Sequence, residues 1–242
     1  MRPIAKTQVH VLLGIVCLWC ATVLPAAAIT LDLTTPDASG WIGGAFFLQV
    51  PPQPTGSGVI QPFVRIQASG EEQGFNTDYR PLVADLEDVD NSPYTHSVSV
   101  SNLEQTMVDG VTMVPFLLDI NQEGSSPLLS LDELMVYTAP VPDLGDLAGL
   151  WTSNLIYDMG MGNKIYLDYS LNNGSGSGDM IFFLPKSLFD GLGTQFMYLY
   201  SKFGATGGDY ASNDGYEEWA QVIGLPVATE ERTWGEVKSL YR

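Results

Sequence analysis

Cysteine, histidine and basic side chains are scarce in this chain of 242 residues. It has two cysteines, two histidines and ten lysines or arginines against 28 aspartates or glutamates, and its formal net charge is −18. Because Cys17 and Cys20 both lie close to the N-terminus, we expect no disulfide in the folded part. So large an acidic excess repels nucleic acid and anionic membrane surfaces, and we expect neither as a partner.

The N-terminus has the pattern of a secretory signal. Arg2 and Lys6 supply a positive start. An apolar run follows over Val9–Leu24, and Pro25–Ala28 is typical of a cleavage site with small residues. The run is shorter than the roughly 20 residues that a membrane-spanning helix needs. We therefore expect residues 1–28 to be a signal peptide, and the mature chain to be secreted and to have no transmembrane segment.

Short runs rich in β-branched and aromatic residues recur between clusters of Gly, Pro, Asn and Ser. The runs are Ile42–Val50, Val59–Gln67, Tyr94–Val100, Val111–Ile120, Glu133–Thr138, Lys164–Leu171, Met180–Leu184 and Phe196–Ser201. This spacing predicts an all-β fold, an antiparallel β-sandwich that is jelly-roll-like or built in two parts. In Lys164–Leu171 apolar residues occupy every second position, as a half-exposed strand requires.

The segment Thr138–Gly149 contains two prolines and little alternation, which predicts a boundary between two β-rich halves. We expect the N-terminal half to cover 29–138 and the C-terminal half, packed with it, to cover 150–225. The tail, 226–242, has capping-box spacing ahead of amphipathic residues and predicts a short helix.

The sequence has few of the side chains that nucleophilic catalysis needs. A serine or threonine triad requires a histidine base, and His96 is the only histidine beyond the expected signal peptide. One histidine without cysteine also disfavours the common zinc sites. A carboxylate-dependent glycan hydrolase stays open as an alternative, because it needs only two carboxyls roughly 5–9 Å apart. We expect a protein that is not an enzyme.

Calcium is the ion that oxygen-rich loops favour, because it binds carboxylate, amide and carbonyl oxygens. Two clusters compete for this role, one at Asp85–Asn91 and one in the glycine-bearing turn near residue 213. The second cluster, together with two residues after Leu118, gives the candidate metal ligands Asp119, Asn121, Asp209, Asn213, Asp214 and Glu217. The sequence Asn213-Asp214-Gly215 is also typical of an ordinary turn.

Aromatic residues form the last candidate site. Alternation places Tyr198 and Tyr200 on one face of a predicted strand, with Met197 and Leu199 on the other. One face must be core, and the other is either core or a platform on which sugar rings stack. Tyr198 and Tyr200 are therefore the candidate carbohydrate-binding residues.

Several composite motifs occur in a characteristic order along most of the chain. They are GSGVIQPFVRIQ, EEQGFNTDYRP, DGVTMVPFLLDINQ, LSLDELMVY, KIYLDYSLNNGSGSGDMIFFLP and YLYSKFGATGGDYASNDGYEEWAQ. Between about Gly56 and Trp219 the chain resembles exported bacterial proteins that mostly carry a PEP-CTERM sorting tail and occur in exopolysaccharide-producing bacteria. The resemblance implies surface display or a place in a biofilm matrix, and it implies no activity. Residues 221–242 lack the Val-Pro-Glu-Pro element, apolar helix and Arg-rich end of that tail, which favours free secretion or another mode of retention.

The sequence thus predicts a secreted, non-enzymatic β-sandwich of the cell surface or extracellular matrix, calcium-stabilised and adhesive. Its expected partners are extracellular polysaccharide or surface proteins. The alternative is a carbohydrate-binding module or a carboxylate-dependent glycan hydrolase.

Overall fold

The computed structural model describes residues 27–50, 60–82, 93–174, 176, 178–213, 215–222, 233 and 235. Some sequence expectations lie outside these residues. They are almost all of the signal peptide, the Asp85–Asn91 cluster, Asp214 and nearly all of the predicted tail helix. Within the described part, no helix has the length and apolar character needed to cross a bilayer.

Strands dominate the described chain, which confirms the all-β class. In chain order they are β1 (Thr30–Asp32), β2 (Ser39–Ile42), β3 (Ala45–Gln49), β4 (Pro62–Ile66), β5 (Ser69–Gly70), β6 (Glu72–Phe75), β7 (Val98–Ser99), β8 (Thr106–Val108), β9 (Val111–Asp119), β10 (Leu128–Ala139), β11 (Asn154–Asp158), β12 (Lys164–Asp168), β13 (Met180–Pro185), β14 (Phe196–Phe203), β15 (Ser212–Asn213) and β16 (Glu217–Gln221). The α-helix α1 (Leu147–Trp151) is a short one, and single 3₁₀ turns cover Val100–Asn102, Tyr169–Leu171, Lys186–Phe189 and Gly208–Tyr210.

The strands form two large sheets and one small ribbon. Sheet A has the order β1-β12-β10-β14-β6, with β11 also paired to β10 and β7 to β14. Sheet B has the order β2-β3-β13-β9-β16-β4, with β8 also paired to β9. All of these pairs are antiparallel except β1 with β12, and β5 with β15 forms the ribbon.

The main hydrophobic core lies between sheets A and B, so the fold is a β-sandwich. Sheet A contributes Met197 and Leu199, the alternate residues of β14. Sheet B contributes three stacked rings, with Phe182 5.0 Å from Phe47 and 5.8 Å from Phe116 between centroids. Burying apolar area of this kind stabilises the fold by roughly 25 cal/mol per Å².

The outer face of sheet A is also covered near its centre. The short helix α1 and the segment before it pack Leu144, Leu147 and Leu150 against the outward residues of β14. Helix α1 begins where Asp146, as N-cap, accepts a hydrogen bond from the Gly149 N–H at 2.7 Å. The central strands of sheet A are therefore apolar on both faces.

Strands from the two predicted halves share both sheets. β13 and β16, from the C-terminal half, pair with β9 from the N-terminal half on either side. In sheet A, β14 lies between β10 and β6. The segment Thr138–Gly149 connects elements of one core, because its first residues end β10 and its last residues belong to α1.

Candidate functional site

Two of the predicted calcium ligands, Asn121 and Asn213, bind main-chain atoms of neighbouring turns. Asn213 accepts a hydrogen bond from the Glu123 N–H at 2.8 Å and donates one to the Ser126 carbonyl at 2.7 Å. Asn121 donates to the Tyr216 carbonyl at 3.0 Å. Both amides therefore fasten the connection after β9 to the segment around β15 and β16, a role that asparagine commonly has in turns.

Of the other predicted ligands, the three that the structure describes, Asp119, Asp209 and Glu217, are not brought together. Asp119 pairs in register with Glu218, so its side chain lies on the face of sheet B opposite to that of Glu217. Asp209 lies on an exposed turn. In the described ranges, no group of three or more His, Cys, Asp or Glu side chains is arranged to hold a metal ion.

A buried pair of carboxyl groups, Glu72 and Glu217, joins the two sheets. Glu72 begins β6 in sheet A, Glu217 begins β16 in sheet B, and both are fully buried. Gln122 donates its amide to Glu217 Oε1 at 2.7 Å, and the Ala68 N–H donates to Glu72 Oε2 at 2.7 Å. Burial raises the pKa of Glu217 well above its ordinary value of 4.5, and the hydrogen bond with Glu72 raises it further. Such a pair is suited to share one proton.

A second pair of buried carboxylates, Asp119 and Asp179, lies where the glycine-rich connection from β12 to β13 meets β9. The Ile120 N–H donates to Asp179 Oδ2 at 2.8 Å, and the Gly176 N–H donates to Asp119 Oδ2 at 2.6 Å. Burial raises the pKa of Asp179 well above its usual range. The Ile120 N–H opposes this shift, and the charge of Asp119 adds to it.

Asn172 lies beside this pair and is 2% exposed. Its Nδ2 donates to the Val50 carbonyl at 2.6 Å and to the Gly178 carbonyl at 2.8 Å. These two acceptors fix the orientation of the amide, since the reverse orientation would place its oxygen against two carbonyl oxygens. Asn172 Oδ1 and Asp179 Oδ1 are both buried and receive no hydrogen bond within the described part of the chain.

The two candidate sugar-binding tyrosines are buried under α1 and its neighbours. Tyr198 is 0% exposed and Tyr200 is 2% exposed. The Tyr198 hydroxyl donates to the Val141 carbonyl at 2.5 Å, and burial raises the pKa of Tyr198 to about 12. A stacked sugar needs an open ring face, which neither tyrosine offers here.

The neighbouring Trp151 is 44% exposed, and its ring centroid lies 4.9 Å from that of Tyr200.

Two further side chains that could take part in chemistry, His96 and Asp132, both lie beside hydrogen-bonding groups of the fold. His96 is exposed, and its Nδ1 lies 2.9 Å from the Ser97 carbonyl oxygen. A surface cavity of about 450 Å³ adjoins β10, β11 and the start of β12, and Asp132 lines it. Asp132 accepts hydrogen bonds from Ser130 at 2.6 Å and from Thr206 at 2.7 Å.

Glu72, Asn172 and Asp179 are the polar residues at these sites that sequence reasoning missed. One signal was available, because Asp119 and Asp179 directly adjoin long apolar strand segments, "PFLLD" and "DMIFF". A charged group in such a setting is costly to bury unless it is partnered. Glu72 has no comparable signal, since it is one of two consecutive glutamates beside a glycine.

No protein-family model, curated protein or solved structure matches this chain.

Proposed function

We propose that this chain is an exported, non-enzymatic β-sandwich that acts at the cell surface or in the extracellular matrix, as the resemblance to PEP-CTERM-associated proteins implies. The observation that carries the non-enzymatic part of the proposal is the position of the buried carboxyl groups. Glu72 and Glu217 link the two sheets, while Asp119 and Asp179 anchor a loop, so these acids act as structural fasteners.

The scarcity of catalytic side chains supports the non-enzymatic part. A triad needs a histidine within hydrogen-bond reach of a nucleophile. His96, the only histidine beyond the expected signal peptide, directs Nδ1 to the carbonyl of the next residue. The buried glutamates are 0% exposed and would not reach a glycosidic bond without the sandwich opening.

The charge of the chain supports an extracellular setting and restricts the partners. An excess of 28 acids over ten basic residues keeps such a protein soluble and repels nucleic acid. Neutral polysaccharides and surface proteins with basic patches remain compatible partners.

Export and turnover are tested on the full chain in an exporting bacterial host. We expect the tagged protein outside the cytoplasm and, once purified, no turnover of a panel of polysaccharides and ester substrates. Retention in the cytoplasm would contradict the surface role. Turnover that is lost on replacing one acidic side chain by its amide would contradict the non-enzymatic part.

Trp151 favours a carbohydrate-binding module as the second candidate. Its indole is half-exposed and packs on the buried rings of Tyr137 and Tyr200, so its position is fixed. Ordered, exposed aromatic rings are suited to stack on sugars. In a polysaccharide pull-down, Trp151→Ala would lose binding while Trp41→Ala, which removes another half-exposed indole, would retain it. Equal retention by wild-type protein and both variants would exclude Trp151 as the binding surface.

A further inference from the structure

The site around Asp119, Asp179 and Asn172 contains two buried oxygen atoms that receive no hydrogen bond from the described residues, one on Asp179 and one on Asn172. Asp179 Oδ2 receives the Ile120 N–H, but Asp179 Oδ1 receives no donor and is shielded from solvent. Asn172 Oδ1 is also shielded from solvent and receives no hydrogen bond from the described part of the chain. Buried polar atoms in native proteins nearly always have a hydrogen-bond partner or bind an ion. We therefore expect each of these two oxygens to bind a group that the structure does not contain.

The surrounding structure holds these oxygens in place. Asn172 donates to carbonyl oxygens on both sides of the site, one on Val50 after β3 and one on Gly178. The Asp179 main chain continues the sheet, since its N–H donates to the Leu118 carbonyl at 2.7 Å. The ligand atoms are thereby fixed by three strands of sheet B and by the start of the loop.

The described glycines of this connection have backbone conformations that can direct carbonyl oxygens toward an ion. Gly176 already approaches the Asp119 carboxylate, with its N–H 2.6 Å from Oδ2. Gly174 and Gly178 both have positive φ, at 117° and 55°, which glycine adopts at little cost. A main chain of this kind can direct carbonyl oxygens inward, and calcium takes many of its six to eight ligands from such carbonyls and from water.

Charge also favours a cation at this position. The carboxyl groups of Asp119 and Asp179 are both buried, at 0% and 3% exposure, at the adjoining ends of the neighbouring strands β9 and β13. A divalent cation would balance the charge of two neighbouring ionised carboxylates. Its ligands would be carboxylate and amide oxygens, which suit calcium better than zinc or copper.

We propose that Asp119, Asp179 and Asn172 are side-chain ligands of a calcium site that fixes the connection from β12 to β13 onto β9. Main-chain carbonyls and water complete the coordination. This site differs from the one that the sequence indicated, since it uses neither Asp209 nor Asn213. The inference rests on the proposed function only in that export brings the chain into contact with extracellular calcium.

Calcium binding is measured by calorimetric titration of CaCl₂ into purified full-length protein that has been freed of metal with EDTA. We expect one site with a Kd on the order of 10⁻⁴–10⁻³ M, the range of extracellular modules. MgCl₂ should bind more weakly, because magnesium demands a more rigid octahedral geometry. A folded wild-type protein that binds no calcium would overturn the site.

Asp179→Asn is the decisive variant, because it removes one ionisable oxygen and keeps an acceptor for the Ile120 N–H. We expect calcium affinity to fall at least tenfold. Asp209→Asn is the matched control, since Asp209 is exposed and was a ligand candidate from sequence. Unchanged affinity in the Asp179 variant, or an equal loss in the control, would contradict the assignment.

Hydrogen exchange on wild-type protein locates the ion without any substitution. Calcium should slow exchange of the Gly176 and Gly178 amides and leave that of Gly191, in the turn beyond the opposite end of β13, unchanged. Binding without protection of the loop amides would place the ion elsewhere and overturn this assignment. A cytoplasmic location in the export experiment would contradict the surface role and would leave these binding results intact.

Discussion

The indole N–H of Trp219 on β16 donates to the hydroxyl oxygen of Ser201 on β14 across 3.0 Å, with both residues fully buried. Because β16 belongs to sheet B and β14 to sheet A, this hydrogen bond crosses the interior of the sandwich. It fixes the two sheets at one point of a core in which most contacts are apolar and non-directional.

Ser201→Ala should destabilise the protein by about 1–3 kcal/mol, because it leaves the Trp219 N–H buried without an acceptor. For a chain of this size, each kcal/mol corresponds to about 2–4 °C in the melting temperature. Ser125→Ala, at an exposed turn, is the control and should change stability by less than about 0.5 kcal/mol. Indistinguishable melting of the two variants would show that the indole hydrogen bond contributes nothing.

Glu217 should make the protein less stable as pH rises. The pKa of Glu217 is raised in the folded state above its ordinary value of 4.5, so the folded state binds more protons than the unfolded state above that pH. The free energy of unfolding therefore falls as pH rises from about 4.5 through the raised folded pKa.

Glu217→Gln should remove this part of the pH dependence, because the amide can donate to Glu72 and still accept from Gln122. At pH 8 the variant should melt higher than wild type by a few degrees, a gain on the order of 1 kcal/mol. The difference in melting temperature between the variant and wild type should disappear towards pH 4.5. Glu123→Gln, at an exposed position, serves as the control. If the difference in melting temperature between Glu217→Gln and wild type stays constant across the pH range, a proton shared with Glu72 is excluded.

Gly215 should tolerate no side chain. A Cβ at this position would lie 1.4 Å from the Asn121 carbonyl oxygen, so β16 could not keep its approach to the connection after β9. Gly215→Ala should cost about 3–5 kcal/mol, at the upper end for single substitutions. Gly124→Ala, where a Cβ meets open space, is the matched control in chemical denaturation. Similar midpoints for the two variants would contradict the close approach.

Arg65 and Glu218 form an ion pair across β4 and β16, and the Arg65 guanidinium also lies 3.7 Å from the Tyr94 ring centroid. Glu218 is 3% exposed, so Arg65→Met should cost about 3–5 kcal/mol by leaving its buried charge without this cation. Adding Glu218→Gln should recover part of the loss. A double variant less stable than the sum of the single changes would contradict a favourable pairing.

The strand pattern could be predicted from the sequence because it depends on local alternation. Met197 and Leu199 face the core as their spacing predicts, and Val111–Asp119 follows the predicted run closely. The predicted strand Lys164–Leu171 ends early, at Asp168. The Asp168 carboxylate accepts the Ser170 N–H at 2.8 Å and turns the chain into a 3₁₀ turn.

The candidate sites depend on contacts between distant parts of the chain, which local pattern does not encode. Tyr198 is buried because α1 and the segment before it, more than forty residues earlier, cover its strand. Glu217 meets Glu72 only because β16 and β6 lie in facing sheets. The sequence indicated that oxygen-rich turns matter, but which oxygens lie together is decided by the sheet order.

Melting of the purified protein with calcium and with EDTA tests most directly whether buried carboxylates fasten this fold. At a calcium concentration ten times Kd, binding to the folded state alone adds about 1.4 kcal/mol, or roughly 3–6 °C. We predict that rise for wild type and for Asp209→Asn, and a gain of at most about 0.4 kcal/mol for Asp179→Asn, because its affinity is at least tenfold lower. Identical melting of wild-type protein in calcium and in EDTA would contradict the account.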